Sequence, residues 1–143
     1  MKTIMVVSFL TMIAAFCACS NDSVMNPAQP LAPTFTNVEM ILNNSCAFTG
    51  CHGSINPNPI GGVMVLEISD NDASYGQIVN VSSVEKPQLK RVRPFQPDSS
   101  YLLKKLRGDK DIVGARMPFC CQPLAPGTIA IIQTWIAQGA LIN

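Results

Sequence analysis

Apolar residues recur at helical spacing in several short runs, separated by polar, proline-containing stretches. Val38, Ile41 and Leu42 make one stripe, and Thr36 stands where an N-cap is needed, so a first helix is expected to run up to Cys46. Asp72 opens a second expected helix that reaches Val79. Pro97-Asp98 followed by Ser-Ser-Tyr-Leu-Leu-Lys-Lys-Leu predicts a third, with Asp98 as cap. Its Lys104, Lys105 and Arg107 fall near the C-terminal end, where the helix dipole favours positive charge. The last helix is expected from Pro126 to Gln138, with Pro in the first turn, Ile129, Ile132, Trp135 and Ile136 on one side, and Gly139 as the stop. The expected fold class is all-α, a small helical domain with long loops.

The opening segment follows a different rule. MKTIMVVSFLTMIAAFCACS places one Lys before an apolar run and then small residues and cysteines, the layout of a secretory signal. The run is short for a membrane span. Its end resembles a bacterial lipoprotein signal, which implies cleavage before Cys19 and lipidation of that thiol; Cys17 follows Phe16, where a small side chain is wanted. Residues 1–18 are therefore expected to be a signal peptide, 19–34 a polar, Pro-containing tether, and 35–143 the folded domain, held in the cell envelope as a periplasmic or outer-membrane-anchored lipoprotein. A plain secreted protein is the alternative.

Composition bounds this domain. The 143 residues, 48% apolar, suffice for one core and call for no second domain. Charge is unevenly spread: six acids and no Lys or Arg lie between Cys19 and Glu85, while nine basic residues and three acids lie between Lys86 and Arg116. Such a split can orient a charged partner during encounter, or the fold can interleave the two stretches and cancel it.

Six cysteines occur, and the single His of the chain directly follows one of them. Cys46-Ala-Phe-Thr-Gly-Cys51-His52 carries the chemistry of covalent haem attachment: two thiols for the two vinyl groups and an imidazole for the iron. The common form has two residues between the cysteines and this chain has four, so the loop between them must bulge. Gly50 and Gly53 flank Cys51-His52 and permit close backbone approach to a flat macrocycle. Two other readings use the same residues. One is a structural zinc site of Cys46, Cys51, His52 and Cys120 or Cys121. The other is a disulfide framework with His52 incidental.

A haem that only carries electrons commonly takes a Met thioether as its second axial ligand. Met117, in Gly114-Ala-Arg-Met-Pro118, is the favoured candidate, because the flanking Gly and Pro argue for an extended loop. Met25 falls in the tether, Met40 is too near the cysteines along the chain, and Met64 is expected to fill core space.

From Thr36 to about Ala140 the chain resembles the small class I cytochrome c domains of exported bacterial proteins. The likeness rests on Asn-Asn-Ser-Cys46-Ala-Phe-Thr-Gly-Cys51-His52-Gly, on Gly-Ala-Arg-Met117-Pro118, and on Ile132-Gln-Thr-Trp135-Ile136-Ala-Gln-Gly139-Ala140. It implies a cytochrome c-like fold around one covalent haem c, with first and last helices crossing, His52 and Met117 as axial ligands, and Trp135 packed on the first helix or the haem. It further implies electron transfer between redox partner proteins rather than an enzyme, with the membrane reached through a lipid anchor. Lys90, Arg91, Arg93 and Arg116 are candidates to pair with haem propionates or an acidic partner. Cys120 and Cys121 depart from the family pattern, and a vicinal disulfide stiffening the Met117 loop is the expectation. With the one His committed there is no Ser-His-Asp set, and neither a phosphate-binding glycine loop nor a nucleic-acid motif occurs, so no small-molecule substrate or nucleic acid is expected.

Overall fold

The computed structural model describes residues 31–48, 51–53, 71–119 and 121–143. These hold four α-helices: α1 (Phe35–Cys46), α2 (Asn71–Ile78), α3 (Tyr101–Arg107) and α4 (Pro126–Ala137), with a 3-10 turn at Pro97–Ser99 ahead of α3. No strand occurs among the described residues. Single backbone pairings of Val79 with Val92, Ser82 with Lys90 and Lys90 with Ser100 fold the connection between α2 and α3 back on itself. The expected tether and signal lie almost wholly outside the described residues. No described helix is long and apolar enough to cross a membrane.

The core forms where α4 packs on both α1 and α3. α1 contributes Phe35, Val38, Ile41 and Leu42, and α4 contributes Ile129, Ile132, Trp135 and Ile136, all buried. Each such side chain stabilises the fold by about 1.5–3 kcal/mol through area removed from water. The Trp135 ring lies 5.7 Å from that of Phe35, and Tyr75 of α2 meets Phe35 edge-on at 5.1 Å. Both polar tips find partners in the chain after α4: Trp135 Nε1 donates to the Leu141 carbonyl at 2.8 Å, and Tyr75 Oη donates to that of Ala140 at 2.9 Å. Trp135 thus packs on the first helix, and it does not line the cleft described below.

Two expected caps are corrected. The N-cap of α1 is Thr34, whose hydroxyl accepts from the Asn37 amide at 3.3 Å, while Thr36 lies inside the first turn and donates to the Asn143 carbonyl at 3.2 Å. The orphan Phe35 amide is taken by Asn143 Oδ1 at 3.0 Å, so a residue far along the chain completes this helix end. Asp98 does not cap α3, because Pro97–Ser99 forms a turn of its own and Ser100 becomes the junction. Instead Asp98 accepts from Arg107 at 2.9 Å. α4 follows the sequence expectation closely. Gly139, just beyond it, has φ +108°, and a Cβ there would come within 2.7 Å of the Phe95 ring, so only glycine fits.

Ion pairs bear on the charge split. Lys86 with Asp111, Lys104 with Asp109 and Asp111, and Arg107 with Asp98 all join residues of the basic stretch to its own three acids. The hydrogen bond from Lys104 holds the Asp111 carboxyl below its ordinary value. Among the described residues only Lys105 with Glu85, at 3.0 Å, joins the two stretches.

Candidate functional site

α1 ends at Cys46, and the chain turns back on itself immediately. The Cys51 amide donates to the Phe48 carbonyl at 2.9 Å, that of His52 to Cys46 at 3.2 Å, and that of Gly53 to Phe48 at 3.3 Å. Both cysteines and the histidine therefore arise from one closed turn despite the four-residue spacing. Gly53 is required there, since a Cβ would stand 2.9 Å from the Ala47 carbonyl oxygen.

This turn borders a cleft of about 400 Å³. Cys46, Cys51, His52 and Met117 all line it, and all four are half-buried. Met117 arrives on the segment after α3, which contains neither helix nor strand, and its amide donates to the Lys105 carbonyl at 2.9 Å. Leu42, Leu102, Leu106 and Pro118 supply apolar wall, and Phe48, Val84 and Phe119 form an exposed apolar rim.

Of the basic residues expected near the site, only Arg91 reaches it. Its guanidinium donates to the Gln77 carbonyl at 2.7 Å, and among the described residues no carboxylate pairs with it. Burial pushes its pKa down, yet a guanidinium stays charged. Lys90 turns to Ser82 at 3.1 Å, Arg116 donates through Nε to the Leu106 carbonyl at 2.8 Å, and neither they nor Arg93 line the cleft. Met40 is exposed and away from the cleft, and Cys121 is exposed. Cys19, Met25, Gly50, Met64 and Cys120 lie outside the described residues, and so do the expected lipidation and half of the expected vicinal pair.

One part of the wall was not anticipated. Tyr101 and Lys105, one turn apart on α3, both face the cleft and both reach Glu85: Tyr101 Oη donates to Glu85 Oε2 at 2.7 Å, and Lys105 Nζ stands 3.0 Å from the same oxygen. Burial raises the Tyr101 phenol above its ordinary value, with the Glu85 carboxylate adding to it and the Val113 amide working against it. The spacing of Tyr101 and Lys105 was the available signal, but the sequence assigned Lys105 only to the C-terminal end of its helix, where the dipole favours positive charge.

The cleft is lined mostly by apolar side chains and has room for a small-molecule group. Its volume falls in the range of about 300–1,000 Å³ usual for such sites, and its soft and imidazole donors suit iron held in a macrocycle. Among the described residues no group of three or more His, Cys, Asp or Glu side chains is placed to hold a bare metal ion, so they offer no assembled zinc site. Comparison with protein-family models, curated proteins and solved structures finds no match to this chain.

Proposed function

We propose that this chain is an electron carrier that binds one haem covalently through Cys46 and Cys51, with His52 and Met117 as the axial ligands. One observation carries the reading. Two thiols and an imidazole from a single turn share a mainly apolar cleft with a thioether that follows the histidine by 65 residues.

The bound haem would supply reversible one-electron chemistry at its iron. The protein's part is to hold it. Cys46 and Cys51 would hold the edge of the macrocycle, and His52, leaving the same turn, would offer its imidazole to the iron. Met117 would supply the second iron ligand, and a thioether there would raise the potential and leave no coordination site for a substrate. Leu42, Leu102 and Leu106, which line the cleft, would keep water off a bound macrocycle. Arg91, which lines the cleft and pairs with no described acid, would be the cation to meet a haem carboxylate. The finer reading of the helical fold, a cytochrome c-like domain, belongs to this proposal, as do export, lipidation at Cys19 and residence in the cell envelope.

Co-expression of the full chain with haem-maturation machinery tests the reading. Intact mass is expected to exceed the polypeptide by one haem, the colour to survive acid-acetone extraction, and the pyridine haemochrome to be that of a thioether-linked haem. Replacing Cys46 and Cys51 together by Ser should abolish all three. A matured protein whose mass is that of the polypeptide alone would sink the proposal. Met117→Ala should leave attachment intact and open the reduced iron to carbon monoxide.

A further inference from the structure

We infer that Glu85, Tyr101 and Lys105 form a positioning network that fixes Met117 in the cleft, an inference that rests on Met117 being an axial ligand. Tyr101 and Lys105 leave the same face of α3 and grip the main chain of one residue, Val113, at its amide and at its carbonyl. Lys105 Nζ donates to the Val113 carbonyl at 2.8 Å, and the Val113 amide donates to Tyr101 Oη at 2.9 Å. The phenol has one proton, and it is given to Glu85, so its lone pair faces the Val113 N–H. Glu85 also neutralises Lys105, whose side chain is only 9% exposed and would otherwise bury an uncompensated charge.

The segment is then tied a second time. Four residues beyond Val113, the Met117 amide bonds to the backbone carbonyl of Lys105 itself. Lys105 therefore holds the start of the segment through its ammonium and the end through its main chain. Gly114, at φ +69°, makes the bend between the two ties. Together with the Arg116 Nε bond to the Leu106 carbonyl and the packing of Met117 against the core, these bonds set where the thioether lies. None of the three side chains needs to touch the iron, and each acts through the 113–117 backbone.

The test uses the full-length matured protein and the variant Tyr101→Phe, which keeps the ring and removes both hydrogen bonds; Glu85→Gln is the second, shape-conserving variant. Haem content by intact mass is expected to match the parent. The ferric protein should lose part of its far-red sulfur-to-iron band, and free imidazole should displace the thioether about tenfold more readily, the equivalent of one hydrogen bond. In a Met117→Ala background, Tyr101→Phe should change imidazole affinity no further, because the two act as one unit. A merely structural role would instead lower global stability without this dependence on Met117. Hydrogen exchange at the Val113 and Met117 amides is read alongside, with or without haem, and should quicken about tenfold in Tyr101→Phe. Unchanged exchange and unchanged imidazole affinity would overturn the network. A parent protein without haem would overturn the function and with it Met117 as a ligand.

Discussion

Where α4 packs on α1 and α3, Phe35, Leu103, Ile132, Trp135 and Ile136 belong to one apolar cluster held mainly by contact area, each at most 1% exposed. Along the cleft, Glu85 and Val113, which lie in no helix, are held to Tyr101 and Lys105 of α3 by a handful of directional bonds. The two regions fail differently. Apolar packing is redundant in direction but cooperative, so damage spreads through the domain. A polar wall is specific, so losing one group releases one segment and leaves the rest standing.

The largest effect is expected from Trp135→Ala, which empties the centre of the core and removes the Nε1 bond to Leu141. It should lower unfolding free energy by about 3–5 kcal/mol in urea titration. A loss under 1 kcal/mol would mean that the core does not bear the fold as described. Ser100→Ala sits at the boundary of the two regions and should cost about 1–3 kcal/mol. Its fully buried hydroxyl accepts from the Arg93 amide at 2.8 Å and donates to the Gln96 carbonyl at 3.0 Å, so removal strands a backbone donor. The smallest effect belongs to the wall and is read through pH. Burial raises the Tyr101 phenol above its ordinary value of 10.0, so the folded state prefers the protonated form. That preference is fully present below the unfolded-state value and is lost as pH rises through the folded-state value. Urea midpoints should therefore fall on alkaline titration, and those of Tyr101→Phe should fall less; parallel curves would show that the wall is not coupled to folding.

How much of this was legible follows the same division. α4 could be read almost to the residue because its signals are local: Pro126 at the first turn, an apolar stripe ending in Trp135, and Gly139 at a backbone angle only glycine accepts. The stripe of α1 was equally plain, yet its cap was misplaced from Thr34 to Thr36, since Asn143 helps close that end from 107 residues away. Asp98 had the right chemistry for a cap, and the intervening turn with Arg107 as partner overrode it. In the cleft, the cysteines and His52 announced themselves by adjacency, and Met117 by its flanking Gly and Pro. Glu85 gave no signal, because its partners lie 16 and 20 residues on and only the fold joins them.

α1 has one more consequence. The chain enters it at Phe35, beside Asn143, and leaves it at Cys46 on the cleft, so the helix separates the two by its own length, about 18 Å at 1.5 Å per residue. A domain moored by the chain preceding α1 would carry its reactive edge on a stiff standoff, aimed outward from the mooring. The slack ahead of Phe35 would then set how far the domain reaches, while α1 would keep the mooring point and the cleft at opposite ends of one rod.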